Sequence, residues 1–288
     1  MCHKTNRVNK QLGKAGLTPI AVLLLAVALA LTNAAIAGHY TVGVVPQFNA
    51  RTLLSIWSPI LQELERRTGH TFELRGSPGI AEFEGQCMAG EFDFAYMNPY
   101  HFIRASSARG YLPLVRDTAK NLRGILVVRK DAPIDDVAQL HGRAIAFPSP
   151  NALGASLMMR ALLAREFRLD FEPQYVESHD SVYLNVVIGR TEAGGGVGRT
   201  LAQQPPEVRE QLRVLYTTPA VASHPFTAHP RVPEAVRRQV QDALIAMGES
   251  GPGREMLAKI PLGTAGAATD EDYAPLRAMG LEAFHVEK

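Results

Sequence analysis

Residues 90–101 read Gly-Glu-Phe-Asp-Phe-Ala-Tyr-Met-Asn-Pro-Tyr-His. The apolar and aromatic run 92–96 predicts a short strand, and Asn98-Pro99 both ends it and opens a helix. Asn is a favoured N-cap, and Pro is tolerated at a first helical position where its missing N–H costs nothing. A helix that starts just beyond a strand presents unpaired amides and the positive end of its dipole, which suits an anion. Two further junctions of this kind are expected, at residues 149–156 and 178–180. Three such ends converging on one small ligand is the central expectation.

Working outward, residues 40–45 and 71–74 predict two strands, and the apolar spacing from Leu53 to Leu64 predicts a helix that stops near Gly69. A helix over 80–88 and another from Pro99 complete a β-α-β-α-β-α run, the pattern of a parallel sheet covered on both faces. Strands follow at 112–116 and 124–129. A second alternation then predicts helix to Leu140, strand 144–147, helix 152–167, strand 174–177 and helix 181–188. A short strand at Ala193-Gly194 leads into Gly195, Gly196 and Gly198, read as a tight strand-to-helix turn. Strands 213–216 and 226–228 and helices over 233–247, 252–260 and 270–284 close the chain. The class is α/β, with two lobes, each a mostly parallel sheet flanked by helices. Two crossings, near residues 114–126 and 215–226, join them as hinges. Lobe I then comprises 38–120 and 222–288, and lobe II comprises 121–221.

The first 37 residues form a separate unit. Lys4, Arg7, Lys10 and Lys14 precede an apolar run over 20–31 and an Ala35-Ile36-Ala37 end, the order of a cleaved secretory signal. The run is short for a membrane span, although an uncleaved anchor is the alternative. The four basic residues belong to this segment, so the formal charge of +2 for the whole chain reverses once it is removed. A nearly neutral remainder argues against a nucleic-acid partner. Cys2 and Cys87 are the two cysteines, so no disulfide forms within the mature chain and no cysteine metal cluster is available. Cys87 reads as a buried small hydrophobe, and His224 and His229 are too isolated for a metal site. No metal and no cofactor is expected.

Four stretches together resemble the periplasmic phosphate/phosphite/phosphonate-binding proteins of ABC importers. They are Trp57-Ser58-Pro59-Ile60-Leu61-Gln62, Asp93-Phe94-Ala95-Tyr96-Met97-Asn98-Pro99, Pro148-Ser149-Pro150-Asn151 and Ser178-His179-Asp180. The resemblance implies a type II periplasmic-binding fold, a periplasmic location, and capture of a small oxyanion or organophosphonate for a permease in the inner membrane. It also implies a ligand contact at His179 and at the junction of Tyr96-Met97-Asn98. The sequence departs from the family pattern at Met97, where a Tyr is often found. Ala152-Leu153-Gly154 stand where a hydroxyl run commonly supplies donors. Glu192 stands where an Asp is common.

The candidate ligand-binding set is Phe48, Tyr96, Asn98, Tyr100, Ser149, Asn151, Ser156, His179 and Glu192. Tyr96, Tyr100 and Phe48 would wall the pocket, and Asn98 places an amide at a strand's carboxyl end. Ser149, Asn151 and Ser156 read either as donors or as ordinary helix capping, and the amides of 151–155 are donors in their own right. His179 donates to an oxyanion or merely caps a helix beside Asp180. Glu192 accepts from an amine-bearing ligand or faces solvent. No catalytic residue is expected, because Cys87, His179 and Glu192 fall on separate elements without an activating motif. A sensor that reports its ligand to a membrane kinase is the alternative function, and an enzyme on the same fold is the third.

Overall fold

The computed structural model describes residues 37–287, together with Met1. The expected signal segment otherwise lies outside the described residues. From Gly38 onward the chain is one compact unit built on two sheets. No described helix is long and apolar enough to cross a membrane.

The first sheet takes β1 (His39–Val44), β2 (Thr71–Arg75), β3 (Phe94–Tyr96), β4 (Leu112–Asp117), β10 (Phe226–Ala228) and β11 (Ala265–Ala267), in the order β11-β4-β10-β3-β1-β2. Helices α1 (Ala50–Thr68), α2 (Ile80–Ala89) and α3 (Pro99–Arg109) make the first connections, and α8 (Glu234–Glu249) and α9 (Gly251–Leu257) cover the sheet after the chain returns. Asn49 caps α1 by accepting from the Thr52 amide at 3.0 Å. Gly69, at φ 72°, ends the helix in the left-handed region that favours glycine. Trp57, Ile60 and Leu64 lie on the buried face of α1, and Trp57 packs against Tyr96 and Phe226.

The second sheet takes β5 (Gly124–Arg129), β6 (Ala144–Phe147), β7 (Glu172–Tyr175), β8 (Ala193–Val197) and β9 (Leu212–Thr217), in the order β7-β6-β8-β5-β9. Its faces carry α4 (Met158–Arg165), α5 (His179–Val187), α6 (Gly198–Ala202) and α7 (Pro206–Arg209). A short segment, α10 (Ala274–Arg277), and two 3-10 turns finish the chain. Leu276 and Leu281 from this end pack with Tyr100 of α3 and with Leu157 and Ala161 beside and within α4.

Both sheets are mixed rather than mostly parallel. β1 runs parallel to β2 and β3, and β6 runs parallel to β7 and β8, as βαβ units require. β10 is antiparallel to β3 and β4, and β5 is antiparallel to β8 and β9. The cause is topological. β10 and β5 are the strands that receive the chain after each crossing, and the carboxyl ends of the βαβ strands in the two sheets face one another. A crossing chain therefore enters the new sheet at that end and runs against its neighbours. The two crossings touch, with Leu122 and Val221 exchanging amide bonds at 2.9 and 3.0 Å.

Two expected elements differ for local reasons. The helix expected over 152–167 opens with a π-turn, Leu153–Leu157, before α4. The glycines at 194–196 are strand, because β8 runs through Val197. A Cβ on Gly195 would meet the Ala155 carbonyl oxygen at 1.9 Å, and one on Gly124 would meet the Gly154 oxygen at 1.9 Å. The π-turn thus rests directly on the backbone of β5 and β8, and only strands without side chains at those positions admit it. Gly195→Ala is expected to destabilise the fold by about 1–3 kcal/mol through overpacking. Gly85→Ala, within α2 with nothing within 4 Å of its added Cβ, is expected to stabilise by about 0.5–1 kcal/mol. Urea unfolding of the two variants beside the parent checks both signs.

Candidate functional site

Between the sheets lies a cavity with about 310 Å³ of empty space, its mouth included. Eight chain segments reach it, among them Ile80 at the start of α2 and Leu122 and His224 from the two crossings. Val45 and Gln47 come from beyond β1, Asn98 from beyond β3, Ala152–Ala155 from beyond β6, His179 from the start of α5, and Val197 from the end of β8. Ligands of open α/β sheets bind beyond the strands' carboxyl ends, and here two sheets contribute to the same space.

Three helix starts beyond strands contribute to the wall. The Asn98 side chain caps α3, accepting from the His101 amide at 2.8 Å, and its Nδ2 donates to the Asn151 carbonyl at 3.3 Å. Ser178 caps α5 by accepting from the Ser181 amide at 3.1 Å, which leaves His179 at the first helical position. At the π-turn, Ser156 and Leu157 are the first amides to donate backward, both to Ala152. Leu153, Gly154 and Ala155 line the cavity, and their amides precede those first donors.

Among the described residues, the polar side chains on the cavity are Gln47, Asn98, His179 and His224, and no Lys or Arg lines it. His179 Nδ1 lies 3.3 Å from the Thr200 hydroxyl. Its burial pulls the pKa down to about 4, so the ring is neutral at physiological pH. His224 stacks on Tyr96 and shares a 3.3 Å contact with Gln47. Burial and the neighbouring His101, His179 and Arg199 take its pKa down to about 3.

Of the sequence-derived candidates, Asn98 and His179 line the cavity itself. Tyr96 lines a narrow neighbouring recess with Phe48, and its phenol oxygen is buried without a hydrogen-bond partner. Tyr100 packs in the apolar cluster with Leu153 and Leu157. Asn151 faces away from the cavity, donating to Glu84 at 2.8 Å and to the Val286 carbonyl at 2.9 Å. Ser149 opens on the same outer recess as Glu84 and Asn151. Ser156 is fully buried and accepts from Arg160 at 3.2 Å. Glu192 is partly exposed and lies 3.8 Å from Arg143. Gln47 and His224 were not among the candidates. Each lies at a strand end marked by Pro46 or Pro225, which is the available sequence signal.

A family model described as "ABC transporter, phosphonate, periplasmic substrate-binding protein" matches residues 42–273. The chain is 19% identical over 253 residues to the phosphonates-binding periplasmic protein of Escherichia coli K12, spanning 83% of this chain and 75% of that one. A binding-protein component of a phosphonate ABC transporter from Pseudomonas aeruginosa superposes with a TM-score of 0.77 at 17% identity, covering 84% of this chain and 85% of that one. PhnD1 of Prochlorococcus marinus, solved with methylphosphonate, superposes with a TM-score of 0.77 at 14% identity, covering 86% of this chain and 99% of that one. At such identities the superpositions establish the fold, the two-lobed type II periplasmic-binding architecture.

The buried histidines give this site a pH signature. His101, like His179, is held by burial at a pKa of about 4, and His224 is at about 3. In the unfolded chain each protonates near pH 6.5, so the unfolded state alone takes up these protons as the pH falls through that value. Ligand-free stability is therefore expected to be full above about pH 7 and to drop from about pH 6.5 toward 4, by up to about 1.4 kcal/mol per pH unit for each histidine. Denaturant unfolding at several pH values measures the slope, and His179→Gln is expected to flatten it.

Proposed function

The chain belongs to the family of periplasmic substrate-binding proteins of phosphonate ABC transporters, and from that membership we propose that its inner cavity captures a small phosphonate, or a related tetrahedral oxyanion such as phosphite or phosphate, for a permease in the inner membrane. The observation that carries the reading is the convergence of Asn98, His179 and the Leu153–Ala155 amides on one cavity between two sheets. An oxyanion needs several donors arranged around a centre, and helix starts supply them with aligned dipoles. Neutral His179 serves as one more donor. The Thr200 hydroxyl contact at Nδ1 fixes the ring, and the bound oxyanion selects the tautomer that presents N–H to it.

In this reading residues 1–37 direct the chain to the periplasm and are then removed. Residues 38–120 with 222–288, and residues 121–221, are lobes that close about the paired crossings at Leu122 and Val221. Closure of this kind around a ligand needs rotation at few backbone positions. A binding role also suits the reactive groups. Burial holds the Cys87 thiol well above its ordinary pKa, away from thiolate, and Glu192 is paired with Arg143 rather than poised beside a nucleophile.

Isothermal titration against phosphate, phosphite, methylphosphonate and aminoethylphosphonate tests the proposal. Binding at one site per chain is expected for at least one of them. His179→Ala is expected to weaken it by about 1–3 kcal/mol, roughly five- to hundredfold, for a lost hydrogen bond to a charged ligand. Silence across the panel from folded protein overturns the assignment.

A further inference from the structure

The inner cavity is not closed on its hinge side. Gln47, Leu122, Val197 and His224 line it and also line a larger chamber that opens to solvent. The two spaces differ in charge. Among the described residues no Lys or Arg lines the inner cavity, whereas Lys120, Arg123 and Arg199 line the chamber. Among the described residues one carboxylate lines the chamber with them, that of Asp117. It is buried and already held by three backbone amides, those of Ala119 at 2.9 Å, Lys120 at 2.8 Å and Thr264 at 3.3 Å.

The three cations have capacity to spare. Arg123 donates to the Thr218 carbonyl at 3.2 Å, and Arg199 to the Ala258 carbonyl at 2.9 Å. Among the described residues none of the three lies in an ion pair with a carboxylate. The Arg199 Nε is buried with no hydrogen-bond partner, and so is the phenol oxygen of Tyr96, which lines the adjoining void with Arg199. A guanidinium N–H withdrawn from water without an acceptor is costly, and an anionic group brought by a ligand removes that cost. A chamber that contains surplus positive charge, beside a cavity that contains none, separates two kinds of recognition.

We infer that the ligand is a phosphonate bearing a second negative group, a carboxylate or another phosphoryl, with its head in the inner cavity and its tail among Lys120, Arg123 and Arg199. The inference rests on the reading of the inner cavity as a phosphonate site. The other large opening between the sheets carries Glu177 and Asp180, which suit an amine tail, but it has no lining residue in common with the inner cavity. A tail leaving the inner cavity therefore enters the cationic chamber first.

Titration of the protein with phosphonoacetate, 3-phosphonopropionate, ethylphosphonate and 2-aminoethylphosphonate decides the matter. The better of the two acid-tailed ligands is expected to bind at least tenfold more tightly than ethylphosphonate, by a margin that shrinks as salt is raised. In the Lys120→Gln/Arg123→Gln double variant, whose altered side chains are exposed, the margin is expected to fall below threefold. The charge-conserving Lys120→Arg/Arg123→Lys pair is expected to retain it. Equal binding of acid-tailed and neutral-tailed ligands overturns the inference, as does a margin that persists in the Gln pair. Tightest binding of 2-aminoethylphosphonate also overturns it and moves the tail to Glu177 and Asp180. In those three cases the inner cavity keeps its phosphonate. Failure of all four ligands to bind folded protein instead removes the phosphonate reading itself, and this inference with it.

Discussion

The contact on which the site depends is between backbones. The carbonyl oxygens of Gly154 and Ala155 occupy the space that side chains on Gly124 and Gly195 would fill. Helices usually pack on sheets through side-chain layers about 10 Å apart, but here the π-turn has no such spacer. Pressed onto β5 and β8, its first amides emerge at the sheet's carboxyl edge rather than a side chain's length above it. The wider π-turn itself belongs to this contact, because a turn with one extra residue spreads the carbonyls that must lie against two adjacent strands. Ala152-Leu153-Gly154 offers no side-chain hydroxyls, so the backbone at this wall is the donor, and its height above the sheet decides whether it reaches a ligand.

A second constraint follows from the first. Amides at the carboxyl edge of one sheet enclose a ligand only if another sheet presents the same edge to them. That arrangement forces each crossing strand to enter its new sheet backwards, which is why β5 and β10 are antiparallel in otherwise βαβ neighbourhoods. The crossings at Leu122 and Val221 are held to each other by two amide bonds. They form a short ribbon beside the cavity, whereas most buried apolar contacts lie within one sheet's own clusters. On the proposed hinge reading, such a distribution would favour relative movement of the sheets over internal rearrangement. The last turns are the exception, since Leu276 and Leu281 pack on α3 and α4 together and Val286 bonds to Asn151.

Where local chemistry dictates local structure, the sequence was legible. β5 and β10 fall on the expected residues, and α1 ends on Gly69 as its spacing and cap require. β11 was missed because Ala-Gly-Ala carries no strand propensity, and it forms by pairing with β4. The run 270–284 breaks into turns because its apolar residues meet two different surfaces. The same division applies to the site. Asn98 and His179 were legible because each sits at a strand-to-helix junction. Tyr100, Asn151 and Ser156 occupy the same junctions but face away, since which side of a helix start meets the cavity depends on how the helix is seated. Glu192 is a strand-start residue, at the opposite end of β8 from the cavity. Gln47, Arg199 and His224 line one space although 152 residues separate Gln47 from Arg199, and no local pattern encodes such a meeting.

The distribution of charge bears on how such a site holds and releases an anion. On the proposed reading, a wall of neutral donors, with His179 and His224 both kept uncharged by burial, would attract an oxyanion through directed hydrogen bonds and helix dipoles worth about half a charge each. These fall away steeply once geometry opens, because an amide that no longer points at the oxygen contributes little. A buried ion pair would instead persist at longer range and resist separation. Lys120, Arg123 and Arg199 line the adjoining chamber, and Lys120 and Arg123 are exposed; on the proposed reading they supply long-range attraction while the inner wall supplies short-range selectivity. A carrier must surrender what it captures, and a site that is strong only when closed meets that requirement.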